Sequence, residues 1–455
     1  MVKHSILSVI NFLNLKVPIQ VYFVFLEKAD LGELRDKIGT NIFLFRIDCF
    51  QQVLILIALY LLILHKGRLE KMETELTHEE ILRYSRHFPI PEVGLIGQRN
   101  LKKSAVLIVG TGGLGSPVAL YLAAAGVGKI GIVDFDKVET SNLQRQIIHS
   151  SSTIGLSKVL SAKKRMLDLN PDIQVIAYDE PFTSENALRI ASEYDVLVDG
   201  TDNFPARYLI NDVCVILRIP NVYGSIFRFD GQVSTFYAKE GPCYRCLFPE
   251  PPPPGLVPSC ADAGVLGILP GTIGTIQATE TIKLLLGIGS NLVGRLLLYN
   301  ALDLSFEYIN LKKNPNCRIC GPNPTINQLI DYEEFCGFPR QVELHSSVDN
   351  DSLLTPEDLF KKLTGNKKIL LIDIREPFEL EISSIKGALH IPYGQLSQRL
   401  NELGGEQEII LFCKTGIRSR RALEMLRGAG IRNVKHLDGG INSWAKRIDP
   451  NLPIY

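Results

Sequence analysis

The chain has 455 residues, which is enough for two or three domains with separate hydrophobic cores. Hydrophobic residues make up 45% of the sequence and charged residues 22%, which is typical of globular proteins and excludes collagen-like and largely disordered chains. Lys plus Arg and Asp plus Glu number 49 each, so the formal net charge is zero. Proteins that bind nucleic acid through phosphate contacts usually carry a basic excess, so we expect no nucleic-acid partner.

Nine cysteines, an odd number, do not indicate a disulfide framework in a chain of this length. Four of them form two Cys-x-x-Cys pairs, Cys243/Cys246 and Cys317/Cys320. Thiols used in this way persist in reducing compartments as metal ligands or nucleophiles. We therefore expect a cytoplasmic protein.

Residues 1–71 differ in composition from the rest of the chain. Val53–Leu64 is an uninterrupted apolar run, but twelve residues fall short of the roughly 20 that a membrane-spanning helix requires. Phe43–Leu64 approaches that length only if Arg46 and Asp48 are tolerated, and no small-residue cleavage site of a signal peptide follows. We interpret this stretch as a hydrophobic extension without catalytic function and expect no membrane association; the alternative is a membrane anchor.

From residue 72 onward, strands and helices alternate. The predicted strands are Val106–Val109, Ile130–Asp136, Ile173–Tyr178 and Asp195–Asp199, and the predicted helices are Leu114–Ala125, Gly155–Leu169 and Phe204–Leu217. This alternation predicts an α/β fold with a mostly parallel sheet that is covered on both faces.

The pattern changes after residue 232, where we predict strand Val233–Tyr237, helix Ile273–Leu286 and strand Arg295–Tyr299. Pro251–Pro254 cannot pair in a central strand and predicts an exposed, stiff segment. The expected organisation is a first domain over residues 72–321, a linker over 322–350 and a smaller α/β domain over 351–455.

The first chemical motif is Gly110-Thr-Gly112-Gly113-Leu-Gly115, between a predicted strand and a predicted helix, with Asp134 about 20 residues further on. Glycines let the backbone approach phosphates, the helix N-terminus favours anions, and the acidic side chain can bind ribose hydroxyls. Taken alone, the motif also fits a nicotinamide-dependent dehydrogenase or a tight turn without a ligand.

The following residues favour nucleotidyl transfer. Arg145 and Lys158 can neutralise a triphosphate, and Asp202 can hold its Mg²⁺, whereas hydride transfer requires none of these groups. Each residue also has a purely structural interpretation, with Lys158 on a solvated helix face and Asn142 as a helix cap.

Seven motifs in order make residues 77–320 resemble the MoeB/ThiF family of adenylating enzymes. They are RYSRH (83–87), GTGGLGSP (110–117), DFDKVETSNLQRQ (134–146), DGTDN (199–203), CYRC (243–246), PSCADAGVLG (258–267) and NCRIC (316–320). The resemblance implies a Rossmann-like domain with ATP contacts from Gly113, Asp134, Asn142, Arg145, Lys158, Asp202 and Asn203. It also implies that Arg86 reaches the ATP of a neighbouring subunit in a homodimer.

The four paired cysteines predict a metal site, because four thiolates form the usual closed, tetrahedral environment of structural zinc. In the MoeB/ThiF family they bind zinc remote from the chemistry, although some relatives with the proline run lack these ligands. Retention of Cys243, Cys246, Cys317 and Cys320 favours bound Zn²⁺ over a site without metal.

Cys260 follows the proline run in a segment rich in small residues. A lone cysteine is most often a buried packing residue. The family resemblance, however, implies that this position forms a thioester or a disulfide with a carrier protein, and we favour that role. We assign only structural roles to Cys49, Cys214 and Cys336.

The loop from Cys413 to Ser419 follows the predicted strand Ile409–Phe412 and opens into a predicted helix, Arg420–Leu426. Its backbone N–H groups, the helix N-terminus and Arg418 would stabilise a persulfide anion on Cys413. Related phosphatases usually have one residue more between the cysteine and the final hydroxyl residue, so the spacing favours sulfur chemistry.

Residues 352–447 resemble rhodanese domains through LIDIREPFE (371–379), IKGALHIP (385–392), the Cys413 loop and LDGGINSWAK (437–446). Many relatives have Gly-His where this chain has Ser383-Ser384, a difference that we expect to matter little because that turn is away from the loop.

The two resemblances together imply ATP-dependent adenylation of the C-terminal glycine of a ubiquitin-like sulfur carrier that ends in Gly-Gly, followed by sulfur transfer from a cysteine desulfurase or thiosulfate. The catalytic residues would be Arg145, Lys158, Asp202, Cys260, Cys413 and Arg418. Molybdopterin and thiamine biosynthesis use such carriers, as do cysteine synthesis and tRNA thiolation. The alternatives are a conjugating enzyme with a Cys260 thioester, a NAD-linked oxidoreductase and a scaffold without catalysis.

Overall fold

The computed structural model describes residues 75–253, 264–337, 352–365, 368–403 and 407–455. Helix α1 (His78–Arg83) belongs to the first of two compact units of the chain, and Thr77 and Glu80 exchange capping hydrogen bonds at its start. In these ranges, no helix combines the length and the apolar character needed to cross a membrane. The apolar run Val53–Leu64 lies outside them, so both interpretations of residues 1–71 remain expectations.

The larger sheet has eight strands in the order β3-β2-β1-β4-β5-β6-β7-β8. The strands are β1 (Ala105–Val109), β2 (Lys129–Val133), β3 (Gln174–Tyr178), β4 (Val196–Asp199), β5 (Asn221–Phe227), β6 (Asp230–Phe236), β7 (Arg295–Asn300) and β8 (Ser305–Asn310). Strands β1 to β5 pair in parallel, and β5 to β8 pair antiparallel. The predicted parallel sheet is confirmed, with an antiparallel extension at one side.

Helices cover both faces of this sheet. They are α2 (Gly94–Lys103), α3 (Gly115–Ala125), α4 (Lys158–Leu169), α5 (Ala187–Ala191), α6 (Phe204–Leu217), α7 (Tyr244–Leu247), α8 (Ile268–Leu286) and α9 (Tyr332–Phe335). In the central strand β1, Val106 and Ile108 pack with α3, α4 and α8, whereas Leu107 and Val109 pack with α5 and α6. Each face thus has its own hydrophobic core, as expected for a buried parallel strand.

Two helices of the larger domain begin several residues away from their predicted starts. Helix α4 starts at Lys158 rather than Gly155, because Gly155 adopts a φ of +86° that ends the preceding turn. Helix α8 starts at Ile268 rather than Ile273, since Pro270 fits the first turn, where the missing N–H costs no hydrogen bond.

Part of the interval predicted as a linker is folded. Ile326 packs beside Cys243 and Cys317, and Tyr332 and Cys336 join the hydrophobic core beneath α6. The chain is therefore anchored to the larger domain as far as α9.

The smaller sheet has five parallel strands in the order β11-β10-β12-β13-β9. Its strands are β9 (Leu353–Leu354), β10 (Ile369–Asp373), β11 (Leu389–His390), β12 (Glu408–Phe412) and β13 (Val434–Leu437), and its helices are α10 (Pro356–Thr364), α11 (Pro377–Ile382), α12 (Ile417–Gly428) and α13 (Gly440–Arg447). Central strand β12 buries residues on both faces, which confirms a second α/β domain.

A buried ion pair connects α6 to the first cysteine pair. The Arg245 guanidinium donates two hydrogen bonds of 2.8 Å to Asp212, and Tyr332 donates a third, also of 2.8 Å. Arg245 lies between the rings of Tyr208 and Phe335, with 4.7 and 4.6 Å to their centroids. Both charged side chains are almost completely excluded from solvent, so removal of one partner leaves an uncompensated charge.

We predict that Asp212→Ala lowers the free energy of unfolding of the larger domain by about 3–5 kcal/mol, because the Arg245 charge remains buried without its partner. Urea denaturation of the full chain measures this loss. The matched control is Asp168→Ala, which removes an exposed ion pair with Arg165 and should have little effect. Equal effects of the two variants would contradict the importance of the buried pair.

Candidate nucleotide, metal and sulfur sites

The glycine motif forms a tight turn between β1 and α3. Gly110 has a φ of +91°, and a Cβ there would lie 2.8 Å from the Gly200 carbonyl oxygen. A Cβ on Gly115 would lie 1.9 Å from the Gly110 oxygen, so neither position accepts a side chain. The close approach of Gly110 and Gly200 places the segment after β4 beside the turn. The GTGGLGSP and DGTDN motifs therefore meet at the carboxyl end of the parallel strands.

Asp134 supports this turn from the end of β2. Its Oδ2 accepts hydrogen bonds from the Thr111 backbone N–H at 2.8 Å and from the Thr111 hydroxyl at 2.9 Å. On the other side, His149 Nε2 donates to the Thr111 carbonyl at 3.1 Å, and Nδ1 lies 2.9 Å from the Ser161 hydroxyl oxygen. Burial lowers the pKa of His149, which keeps the ring neutral near pH 7. The sequence analysis missed His149, although it follows the DFDKVETSNLQRQ motif closely.

Lys158 is the first residue of α4 and is buried rather than on a solvated helix face. Its Nζ lies 2.7 Å from Asp136 Oδ2, and Asp136 is itself exposed. The ammonium is therefore held in place near the end of β2 by a carboxylate that remains open to solvent and to cations.

Arg145 and Asn142 lie on the loop that follows β2. The Arg145 side chain is next to the turn, with its Cδ 3.7 Å from the position of a Cβ on Gly113, and it donates to the Ser141 carbonyl. Asn142 Oδ1 accepts from the Glu139 N–H at 3.0 Å, so this side chain is a cap of a short 3-10 helix. Asn142 therefore caps a helix, as its structural interpretation predicts.

Asp202 and Asn203 lie between β4 and α6. Asn203 Oδ1 accepts from the Ala206 N–H at 3.0 Å and caps α6, while Asp202 is exposed. Behind them, burial raises the pKa of Asp199, whose Oδ1 accepts two hydrogen bonds from Thr201. The carboxylate of Asp202 is exposed and therefore open to a hydrated cation.

The predicted carrier-linked Cys260 lies outside the described residues. The segment that follows it reaches the nucleotide site: a Cβ on Gly267 would lie 2.1 Å from the Gln144 oxygen. Pro270, in the first turn of α8, lies 3.1 Å from the position of a Cβ on Gly113. The chain after Cys260 therefore packs against the same turn.

The four predicted metal ligands converge. Their sulfur atoms all lie within 4.8 Å of one another, with the shortest separations at 3.4 Å for Cys246–Cys320 and 3.5 Å for Cys243–Cys317. A tetrahedral ion at about 2.3 Å from each sulfur requires separations of about 3.8 Å, so the four sulfur atoms fit such an ion. A metal binds cysteine in the thiolate form, so each of the four thiols would lose its proton on binding an ion.

Cys413 directly follows β12, and its sulfur points into the turn before α12. The Gly416 N–H donates to Sγ at 3.1 Å, and the Ser419 hydroxyl lies 3.6 Å from Sγ. Gly416 has a φ of +94°, so the backbone reverses here and directs the Gly416 N–H at the sulfur, beside the N-terminus of α12. The helix begins at Ile417, three residues before the predicted Arg420.

Arg418 is paired with a residue that the sequence analysis missed. Its guanidinium donates two hydrogen bonds of 2.7 Å to the carboxylate of Glu379 in α11. Burial acts to raise the pKa of Glu379, but Arg418 and the other donors outweigh it and hold that pKa below its usual range. Glu379 is the last residue of the LIDIREPFE motif, and its place in that motif is the sequence feature that could have identified it.

Ser383 is also connected to this site. Its carbonyl accepts from Arg375 at 2.7 Å, and Arg375 also donates to the Glu379 carbonyl at 3.1 Å. The Arg375 side chain therefore links the turn at Ser383 to Glu379, the residue that holds Arg418.

Comparison with known proteins identifies both domains. The ThiF family model matches residues 84–319, and the rhodanese-like domain model matches residues 355–447. The chain is 45% identical over 386 residues to the probable adenylyltransferase/sulfurtransferase MoeZ of Mycobacterium tuberculosis, covering 84% of this chain and 96% of that protein. It is 43% identical over 400 residues to the adenylyltransferase and sulfurtransferase MOCS3 of Drosophila yakuba, covering 84% of this chain and 87% of that protein. This chain belongs to the ThiF family and carries a rhodanese-like domain after its ThiF domain.

Proposed function

We propose that the chain adenylates the C-terminal glycine of a ubiquitin-like sulfur carrier with ATP and then converts that glycine to a thiocarboxylate. The observation that carries the proposal is the presence, in one chain, of a complete phosphate-binding turn and a cysteine loop of sulfurtransferase type. The relatives named adenylyltransferase and sulfurtransferase share both domains at 43–45% identity. By the same likeness, we assign the product to molybdopterin-type or thiamine-type biosynthesis.

In the first step, a carboxylate oxygen of the carrier attacks the α-phosphorus of MgATP and pyrophosphate leaves. The backbone N–H groups after Gly110 and the N-terminus of α3 face the phosphates. Arg145 and Lys158 neutralise the charge that develops on them, and Asp202 holds the Mg²⁺ that accompanies ATP. Asp134 binds the ribose hydroxyls while its link to Thr111 fixes the turn.

Gly113 completes this nucleotide site by leaving room for the phosphates between Arg145 and Pro270. Asn142 and Asn203 position the two loops that carry Arg145 and Asp202, because each caps a helix there. Arg86, exposed before α2, is free to reach the ATP of a second copy, so we infer a homodimer.

In the second step, the terminal sulfur of a Cys413 persulfide attacks the carbonyl of the acyl-adenylate and expels AMP. The product is an acyl disulfide between the carrier and Cys413. The Cys260 thiolate then attacks the Cys413 sulfur, which releases the thiocarboxylate and leaves a Cys260–Cys413 disulfide for an external thiol to reduce. Thiosulfate or a cysteine desulfurase supplies the next sulfur.

The chain length after Cys260 is compatible with this role. Gly267 and Pro270 contact the nucleotide site, and the seven residues that follow Cys260 as far as Gly267 span at most about 3.3–3.6 Å each. The connection therefore allows the thiol to reach the activated carboxylate. The competing assignment, a stable thioester between the carrier and Cys260, would leave the Cys413 loop without a role.

We further propose that the four-cysteine site holds Zn²⁺ as a structural ion, since all four ligand positions are thiolates and the sulfur separations fit a tetrahedron. All seven cysteines of the described ranges are free thiols, which supports a reducing, cytoplasmic location.

The adenylation site is tested by Asp202→Ala. The variant should lose ATP–pyrophosphate exchange by at least a hundredfold, because Mg²⁺ loses a carboxylate beside the reacting phosphate. Thiosulfate:cyanide sulfurtransferase activity of the same preparation should remain unchanged and serves as the folding control. Undiminished exchange would show that Asp202 has no part in the reaction.

The sulfur site is tested by Cys413→Ala. This variant should carry no persulfide in mass spectra after exposure to thiosulfate, and sulfur transfer to cyanide should fall to background. Exchange of pyrophosphate should continue at the wild-type rate, since that reaction belongs to the larger domain. A persulfide that persists on another residue would refute Cys413 as the sulfur acceptor.

The metal site is tested by Cys317→Ser, which should reduce bound zinc from about one per chain to below detection in elemental analysis and lower the melting temperature. Cys336→Ala is the matched control, because it removes a buried thiol outside the four-cysteine site and should retain zinc. Wild-type protein that contains no zinc would contradict the assignment.

A further inference from the structure

The segment after α13 folds back onto the sulfur site of the smaller domain. Ile448 and Leu452 pack against the core around Trp444, and this packing brings Tyr455 to the Cys413 loop. The Tyr455 carbonyl accepts a hydrogen bond of 3.2 Å from Asn442. Tyr455 is thus held by the hydrogen bond to its carbonyl and by the packing of Ile448 and Leu452.

The Tyr455 hydroxyl lies between two charged groups. Arg375 Nη1 donates to it at 2.8 Å, and it lies 2.8 Å from Glu379 Oε1. A guanidinium can only donate, so the phenol proton must point to Glu379. Burial raises the pKa of Tyr455 to about 12, so that this proton remains in place near neutral pH.

The same Glu379 carboxylate binds Arg418 through both of its oxygens. The phenol therefore supplies one of the donors that fix the carboxylate, and the carboxylate fixes the guanidinium on the Cys413 loop. Without the phenol, the Arg418 guanidinium and the Glu376 N–H still donate to Glu379, but the donor on the Tyr455 side of the carboxylate is lost.

The Tyr455 ring acts on a second cation of the loop. Lys414 Nζ lies over the ring, 4.7 Å from its centroid, directly after Cys413 in sequence. The Lys414 carbonyl accepts from the Asn442 N–H at 3.1 Å, so the backbone of Lys414 is fixed to the start of α13. Tyr455 thus contacts, directly or through one residue, both cationic side chains between Cys413 and Ser419.

We propose that Tyr455 is a positioning residue of the sulfurtransferase site: its hydroxyl aims Arg418 through Glu379, and its ring holds the Lys414 ammonium at the Cys413 loop. The consequence is a fixed positive field at the cysteine, which favours anionic sulfur donors. This inference rests on the sulfurtransferase function proposed above.

The test compares Tyr455→Phe and Tyr455→Leu in the full chain, with Glu357→Gln as the control. Phenylalanine retains the ring but not the hydroxyl, whereas leucine removes both. Glu357→Gln weakens an exposed ion pair with Arg447 in the same domain and should change nothing. Two readouts are measured: steady-state kinetics with thiosulfate, and the rates at which iodoacetate and iodoacetamide alkylate Cys413.

The ratio of the two alkylation rates isolates the electrostatic role, because the reagents differ in charge but little in size. Tyr455→Phe should lower the iodoacetate/iodoacetamide ratio about three- to tenfold and raise the KM for thiosulfate by a similar factor, with a smaller change in kcat. Tyr455→Leu should lower the ratio further. In a Glu379→Gln background, Tyr455→Phe should have no additional effect, since the path through Glu379 is already broken.

An unchanged ratio with unchanged thiosulfate kinetics in Tyr455→Phe would overturn the proposal. Equal changes in both alkylation rates, with a lowered melting temperature, would also overturn it, because they indicate that Tyr455 only packs the domain. If wild-type Cys413 reacts with iodoacetate but not with thiosulfate, the proposed donor fails while the positioning role is still measured by the ratio.

Discussion

Both reaction centres depend on one backbone constraint: a glycine with positive φ that reverses the chain between a parallel strand and a helix. Gly110 does this after β1 with a φ of +91°, and Gly416 does it after β12 with a φ of +94°. Such a reversal lets backbone N–H groups and a helix N-terminus face one anion. In the function we propose, the anion is a phosphate in the larger domain and a sulfur in the smaller one, so one geometric solution serves two chemistries.

The side chains around these turns are held by buried polar partners rather than by packing alone. Asp134 and His149 fix Thr111 from opposite sides, and Glu379 fixes Arg418. At a distance from both turns, Arg245 ties the first cysteine pair to α6, whose N-terminus follows Asp202. The four paired cysteines, which we propose bind a metal, are therefore connected through α6 to the segment that carries Asp202.

Much of this arrangement could be predicted from the sequence, because it depends on local patterns. Helix Phe204–Leu217 has the predicted bounds, since Asn203 caps it and Pro205 fits its first turn. The four cysteines converge as the two Cys-x-x-Cys pairs predicted. Strand β8 was missed because it lies at the edge of the sheet with five of its six residues exposed, so it lacks the continuous buried apolar run of the central strands.

The partners of the proposed catalytic residues could not be predicted, because they come from other elements of the fold. The residues around Lys158 do not indicate that its ammonium pairs with Asp136. The residues around Arg418 likewise do not indicate that its guanidinium pairs with Glu379. Tyr455 reaches Glu379 across 76 positions, a pairing that only the fold creates.

The central claim is that one chain both activates the carrier and supplies its sulfur. Intact mass spectrometry of a carrier ending in Gly-Gly, incubated with the wild-type chain, MgATP and thiosulfate, tests it most directly. The account predicts a carrier in which one oxygen is replaced by sulfur, formed only when ATP is present. A carrier that stays unmodified or accumulates as a thioester on the enzyme, while pyrophosphate is released, would contradict it.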